Sequence, residues 1–359
     1  MTQNSEHTPA SADLDPTVAA IAEDIVTEDA APVAPEQTFA DFGVHPAIVE
    51  ALEAKGIVHP FPIQAMTLPV ALGGHDIIGQ AKTGTGKTLG FGIPALQRAI
   101  GPGEPGWDGL EAKGTAGAPQ ALIVAPTREL AVQVAGDLTA AAARRPLRIA
   151  TIYGGRAYEP QIEELQRGVE IVVGTPGRLI DLMRQRHLRL DLVNTVVLDE
   201  ADEMLRMGFA EEVDRILAST PDTKQTALFS ATMPPAIRRI SAQYLNAPEE
   251  VAVARQSTTS ATIRQRYLQV GHQWKFEALS RILETEEHDG VIAFVRTRAG
   301  TEELAQKLTR AGFKAVAISG DVAQKQREKT VEDLKAGRVD ILVATDVAAR
   351  GLDVERISH

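Results

Sequence analysis

The strongest constraint in this chain is an alternation. From Phe39 onward, short apolar runs rich in β-branched residues are each closed by small or polar residues and followed by a helix-like stretch. The runs are Asp76–Gly79, Ala121–Pro126, Glu170–Thr175, Thr195–Leu198 and Thr226–Ser230, then Gly290–Val295, Lys314–Ile318 and Asp340–Ala344. A strand wetted on one face alternates apolar and polar residues, whereas a strand covered on both faces reads as one apolar run. Buried strands alternating with helices predict an α/β architecture built on parallel sheets.

Two interruptions divide the pattern. Gly101–Pro119 carries six Gly and three Pro, too few apolar side chains to pack, and reads as a mobile surface loop. The polar run Ala254–Thr262 reads as a linker between a domain at 39–253 and a shorter one at 263–359. The second part holds fewer strand candidates and is expected to be an incomplete domain. Residues 1–38 hold eight acidic and no basic residues, a composition expected to stay disordered, with a short helix around Val18–Val26 and a capacity to contact protein partners.

Charge says little about partners. The chain carries 37 basic and 48 acidic residues, and removing the tail's eight leaves 40 acidic against 37 basic. Local placement of Arg must therefore decide whether a polyanion is bound. No Cys is present, which excludes disulfides, thiol nucleophiles and thiolate zinc sites. The eight His residues are scattered without metal-ligand spacing. No apolar run approaches the roughly 20 residues of a membrane span, and the N-terminus lacks the order of a signal peptide. A cytoplasmic enzyme without a membrane role is the expectation.

The sharpest chemical signal is Ala81-Lys82-Thr83-Gly84-Thr85-Gly86-Lys87-Thr88, directly after the first strand candidate. Small residues there let backbone N–H groups wrap a phosphate at a helix N-terminus, as in a phosphate loop. Lys87 can reach the β and γ phosphates, and the Thr88 hydroxyl can ligate Mg²⁺. Downstream, Thr195–Leu198 runs into Asp199-Glu200-Ala201-Asp202. Side chains alternate along a strand, so Asp199 and Glu200 face different ways. One can hold the metal, while the other orients or deprotonates the attacking water.

With both segments in place, the chain resembles the DEAD-box RNA helicases from about Phe39 to its last residue. Phe39, Gly56, Pro60 and Pro62-Ile63-Gln64 resemble the family's adenine-reading motif. Its implied roles are an amide at Gln64 that pairs with the base edge and a ring at Phe39 that stacks on it. Ser230-Ala231-Thr232 resembles the motif linking hydrolysis to strand separation, so Ser230 and Thr232 join Lys87, Asp199 and Glu200 as implied catalytic residues. Thr83, Gly84, Thr85, Gly86, Lys87, Thr88 and Asp353 are implied nucleotide contacts, with Thr88 and Asp199 on the metal.

The family's RNA-facing motifs are matched at Pro126-Thr127-Arg128-Glu129-Leu130, Gly154-Gly155-Arg156 and Thr175-Pro176-Gly177-Arg178. Further on they are matched at Phe294-Val295-Arg296-Thr297, at Gln324 with Arg327, and at Ala344-Thr345-Asp346. Implied RNA contacts are Pro126, Thr127, Arg128, Gly155, Arg156, Thr175, Gly177, Arg178, Arg296, Gln324, Arg327 and Thr345. Such groups suit phosphate and sugar, which carry no sequence information. The resemblance implies two RecA-like domains, ATP and Mg²⁺ as cofactors, and ATP-dependent unwinding or remodelling of RNA. The family continues with a His- and Arg-rich motif beyond the point where this sequence reaches Arg356-Ile357-Ser358-His359. Impaired turnover is therefore expected. The alternatives are an ATP-gated RNA clamp and a DNA-directed motor.

Overall fold

The computed structural model describes residues 37–81, 85–252, 263–319, 322, 324–349, 352 and 354–359. The acidic tail through residue 36, with its expected helix at Val18–Val26, and the linker Ala254–Thr262 lie outside the described residues. Among the described residues there are ten short strands: β1 (Ile77–Gln80), β2 (Ala121–Val124), β3 (Ile149–Ile152), β4 (Ile171–Gly174), β5 (Thr195–Leu198), β6 (Gln225–Ser230), β7 (Glu249–Ala252), β8 (Val291–Phe294), β9 (Ala315–Ile318) and β10 (Ile341–Ala344). They build two sheets, ordered β3-β4-β2-β5-β6-β1-β7 and β8-β10-β9, and every pairing is parallel.

The apolar runs are continuous because the first sheet has a core on each face. Ile77, Ile123, Val173, Val197 and Phe229 enter one core, together with side chains from the helices Pro46–Glu53, Pro62–Leu72, Lys87–Arg98 and Arg128–Ala141. Their strand neighbours Ile78, Leu122, Val172, Val196 and Leu228 enter the other, against the helices Pro176–Arg184, Ala201–Arg206, Ala210–Ala218 and Pro235–Tyr244. The second sheet repeats this arrangement on a smaller scale, with Ile341 and Val343 on one face and Leu342 and Ile318 on the other.

The structure corrects the sequence reading in three places. β3 and β7 were absent from the expected strands. Both are edges: β3 buries alternate residues and β7 buries only Val251, so neither carries a continuous apolar run. Gly101–Pro119 is not an unanchored loop either. It contains a short helix, Trp107–Ala112. The Trp107 ring is buried, its indole N–H donates to Glu111 Oε1 at 2.8 Å, and Arg145 pairs with Glu104 at 2.5 Å. One aromatic and one ion pair anchor a segment whose average composition is that of a loop.

In the second sheet, β8 and β9 are the edges. The last residues run beside β8: Ser358 donates its backbone N–H to Gly290 O at 2.9 Å, and Ile292 donates to His359 O at 2.9 Å. Phe294 on β8, and Ile263, Tyr267, Leu268 and Trp274 before it, are exposed. No helix among the described residues is long and apolar enough to cross a membrane.

One glycine is fixed by packing across the sheet. Gly79 on β1 stands opposite Phe229 on β6, and a Cβ at Gly79 would lie 2.4 Å from the Phe229 ring. That ring in turn meets Phe91 at 5.3 Å between centroids. Gly79→Ala should therefore destabilise by about 1–3 kcal/mol through overpacking. Adding Phe229→Leu should recover part of that loss, a non-additivity that urea titrations of the single and double variants would read.

Candidate nucleotide and nucleic-acid site

β5, β6 and β1 are neighbours in the first sheet, so their C-terminal ends bring three separate chain segments together. In open parallel sheets, this is the edge where ligands bind. β1 leads through Ala81 to the phosphate loop, whose Lys82, Thr83 and Gly84 lie outside the described residues. Thr85 and Gly86 follow, and the helix Lys87–Arg98 begins. Gly86 holds φ +76°, and a Cβ there would meet the Phe61 ring at 2.4 Å, so the position demands glycine twice over.

Lys87 is buried. Its Nζ lies 2.7 Å from Asp199 Oδ1 and 3.7 Å from Glu200 Oε1. Asp199 is fully buried, and neither carboxylate oxygen accepts a well-aligned hydrogen bond, leaving Lys87 as its compensating charge. Burial pushes the Asp199 carboxyl above its ordinary value, with the Lys87 ammonium pulling the other way. Glu200, the next residue, sits in the left-handed region at φ +53°. Backbone strain of this kind in a non-glycine residue clusters at functional positions.

A buried carboxylate whose close polar contact is the Lys87 ammonium, with a threonine hydroxyl next to that lysine in the chain, is a donor set that fits Mg²⁺. Thr88, in the first turn of the loop's helix, supplies that hydroxyl. Among the described residues no three His, Asp or Glu side chains converge on one point. Such an ion would complete its shell with phosphate and water oxygens, as Mg²⁺ commonly does.

Ser230 and Thr232 lie beside this cluster and bind Asp202. The Thr232 hydroxyl donates to Asp202 Oδ2 at 2.6 Å, Ser230 Oγ donates to the Thr232 carbonyl at 2.7 Å, and Asp202 N donates to Ser230 Oγ at 3.3 Å. Burial alone would raise the Asp202 carboxyl, but the hydroxyl bonds and the Arg206 charge hold it below its ordinary value. The two hydroxyl residues thus tie the end of β6 to the segment after β5.

The expected adenine contacts divide. Gln64 is buried beside the loop, with Oε1 accepting from Phe61 N at 2.9 Å and Nε2 donating to Gly86 O at 2.5 Å. Phe39 is 1% exposed and packed in the core with Ile48 and Leu52. Asp353 lies outside the described residues.

The expected RNA contacts also divide. Thr127, Thr175 and Thr345 follow β2, β4 and β10. Thr127 Oγ1 accepts from Leu130 N at 3.2 Å and Thr345 Oγ1 from Ala348 N at 3.3 Å, which makes them helix caps. Pro126 is buried beside Thr127, and Gly177 lies in the first turn after Thr175. Arg156 and Arg296 are exposed. Arg178 is not: it is 8% exposed, stacked 3.8 Å from the Tyr158 ring centroid, and donates to Arg156 O at 3.0 Å. It supports the Gly155-Arg156 turn from beneath.

Arg128, Gln324 and Arg327 have protein partners in this structure. Arg128 donates to Gln324 Oε1 at 2.8 Å. Arg327 pairs with Glu129 and donates to the Ala348 carbonyl. These side chains join the segment after β2 to the helix Gln324–Lys335 beside the second sheet. Arg128 also overlies Gly155, where a Cβ would come within 2.4 Å of its Nη1. Glu129, Asp202 and Tyr158 were missed as site residues. Glu129 and Asp202 lie inside quoted motifs, whereas nothing in the sequence pairs Tyr158 with Arg178.

Comparison with known proteins places this geometry. The DEAD/DEAH box helicase profile matches residues 61–240, and the helicase conserved C-terminal domain profile matches residues 274–359. The chain is 50% identical over 329 residues to the ATP-dependent RNA helicase DeaD of Mycobacterium tuberculosis, covering 91% of this chain and 56% of that protein. It is 50% identical over 324 residues to DeaD of Escherichia coli, covering 90% and 49%. The chain thus spans about half the length of the curated relatives it matches. Dbp5 of S. cerevisiae, solved bound to RNA and ADP BeF3, superposes with a TM-score of 0.78 at 28% identity, covering 89% of this chain and 79% of that one. A DEAD box protein from Methanococcus jannaschii superposes with a TM-score of 0.55 at 39% identity, covering 88% and 82%. With its motifs on the ends of parallel strands and a relative of that identity matched over most of its length, this chain belongs to the DEAD/DEAH box helicase family.

Proposed function

We propose that this chain binds ATP with Mg²⁺ at the β1–β5–β6 edge, hydrolyses it, and couples hydrolysis to unwinding or remodelling of RNA. The observation that carries the reading is the buried Lys87–Asp199–Glu200 cluster at the mouth of a phosphate loop. Without a ligand, Lys87 and Asp199 compensate one another, and polyphosphate would take the Lys87 charge in exchange. Mg²⁺ held by Thr88 and Asp199 would neutralise phosphate charge. Glu200 then serves as the group that accepts a proton from the attacking water, and Gln64 fixes the loop through Gly86 while offering its remaining N–H to the base edge.

RNA as the partner is supported by Arg156 and Arg296, both exposed, by the capped helix starts after β2 and β10, and by the names of the relatives. Contacts of this kind go to the backbone, so binding should weaken with salt and depend little on base sequence. The test of the nucleotide assignment is calorimetry with ADP and ATP. Lys87→Ala should weaken both, and Gln64→Ala should erode the preference for ATP over GTP. Unchanged binding in Lys87→Ala would sink the assignment of this loop. A clamp without turnover would bind ATP and RNA together in the same assays and release no phosphate. Equal ATP-dependent affinity for RNA and DNA of one sequence would favour the DNA-directed alternative.

A further inference from the structure

The turn Gly154–Ala157 after β3 is held at several points, and one of them leads to a residue without an assigned role. Gln161, fully buried, clamps the two ends: its Oε1 accepts from Tyr153 N at 3.0 Å, and its Nε2 donates to Ala157 O at 2.9 Å. Arg178 holds the middle by donating to Arg156 O at 3.0 Å, while the Arg156 side chain stays exposed. Arg178 itself is buried, and none of the ion pairs among the described residues involves it. Its guanidinium instead lies 3.8 Å from the centroid of the Tyr158 ring. Tyr158 is fixed in turn by its hydroxyl, which donates to Asp181 Oδ2 at 3.0 Å. A ring face attracts a cation most strongly where water is excluded, so the buried charge of Arg178 has its electrostatic partner in Tyr158.

We infer that Tyr158 is a positioning residue for RNA: its ring holds Arg178 against the Arg156 carbonyl, and that bond sets the turn so that the Arg156 side chain meets a phosphate. The inference rests on the RNA reading above. Tyr158 touches no RNA in this arrangement and acts through Arg178 and then Arg156. The face of the ring carries the charge contact, whereas the hydroxyl only sets the ring's angle. A leucine in its place would fill much of the space and lose the attraction. A residue that works through Arg156 also has nothing left to do once the Arg156 guanidinium is gone.

The experiment measures binding of a single-stranded oligouridylate, with ADP BeF3 and Mg²⁺ present, across a salt series. The full chain is compared with Tyr158→Leu, Tyr158→Phe, Arg156→Ala and the double variant Tyr158→Leu/Arg156→Ala, and ADP binding is measured for each. Tyr158→Leu should lose RNA affinity by about 3–30-fold, the usual range of a cation–π contact, and keep its ADP affinity. Tyr158→Phe, which retains the ring face, should bind RNA as the wild type does. The double variant should bind no more weakly than Arg156→Ala, and both should show a salt dependence shallower by about one phosphate contact. Additive losses in the double variant would overturn the inference, because Tyr158 would then act independently of Arg156. Undiminished RNA binding by Tyr158→Leu or by Arg156→Ala would overturn it, as would a loss in Tyr158→Phe equal to that in Tyr158→Leu. A parallel loss of ADP affinity in Tyr158→Leu would overturn it too, since the ring would then be supporting the fold at large. Failure of the wild-type chain to bind RNA would overturn the RNA reading itself and this inference with it.

Discussion

Glu200→Gln should lower ATP turnover by about 10²–10⁴-fold, the usual worth of a positioned general base, while nucleotide still binds. The amide keeps the shape of the carboxylate and loses only its capacity to take a proton. Glu200 is the second residue past the end of β5, in a left-handed conformation at φ +53°, 3.7 Å from Lys87. Different positions for two adjacent carboxylates permit separate roles. Asp199→Asn should instead impair Mg²⁺-dependent binding, because it removes the buried charge a metal would meet. Phosphate release measured at saturating ATP and RNA, beside calorimetry with ADP, separates the two. Full turnover in Glu200→Gln would place the proton acceptor elsewhere.

The second large effect is expected at the contact between Glu129 and Arg327, whose side chains are only 16% and 10% exposed. Removing one partner of a largely buried pair typically costs about 3–5 kcal/mol, so Glu129→Ala or Arg327→Ala should lower RNA-stimulated ATP turnover by about 10²-fold or more if this contact couples the two sheets' ligands. The double variant should be little worse than either single one, because the second substitution removes a charge already without its partner. The sequence motif alone would assign Arg327 to an RNA phosphate. In that case the two losses would add, and Arg327→Ala would reduce the salt dependence of RNA binding by about one counterion. A double-mutant cycle in turnover, with RNA affinity measured across a salt series, decides between them.

The features that sequence alone determined are those written within a few consecutive residues. Every apolar run proposed as a strand contains one, to within a residue or two at its ends, because burial on both faces forces a continuous apolar run. The segment proposed as a phosphate loop stood out in the sequence for a similar reason. Gly86, Lys87 and Thr88 must be adjacent to wrap one phosphate group, and Asp199 and Glu200 must follow a strand to reach it.

What tertiary structure decided depends on which group stands opposite another, and no local window contains that. The edges β3 and β7 lack a two-sided core, so their residues carry little apolar signal. Trp107 found a buried place within a glycine-rich segment. Phe39 went into the core while Phe61 stayed on the loop's open side. Arg178 came to rest on Tyr158, twenty residues earlier, and Arg128 on Gln324, almost two hundred residues later. A guanidinium satisfies carboxylate, carbonyl, aromatic face or phosphate with similar geometry, so an Arg in a motif is compatible with each, and only the folded chain selects the partner.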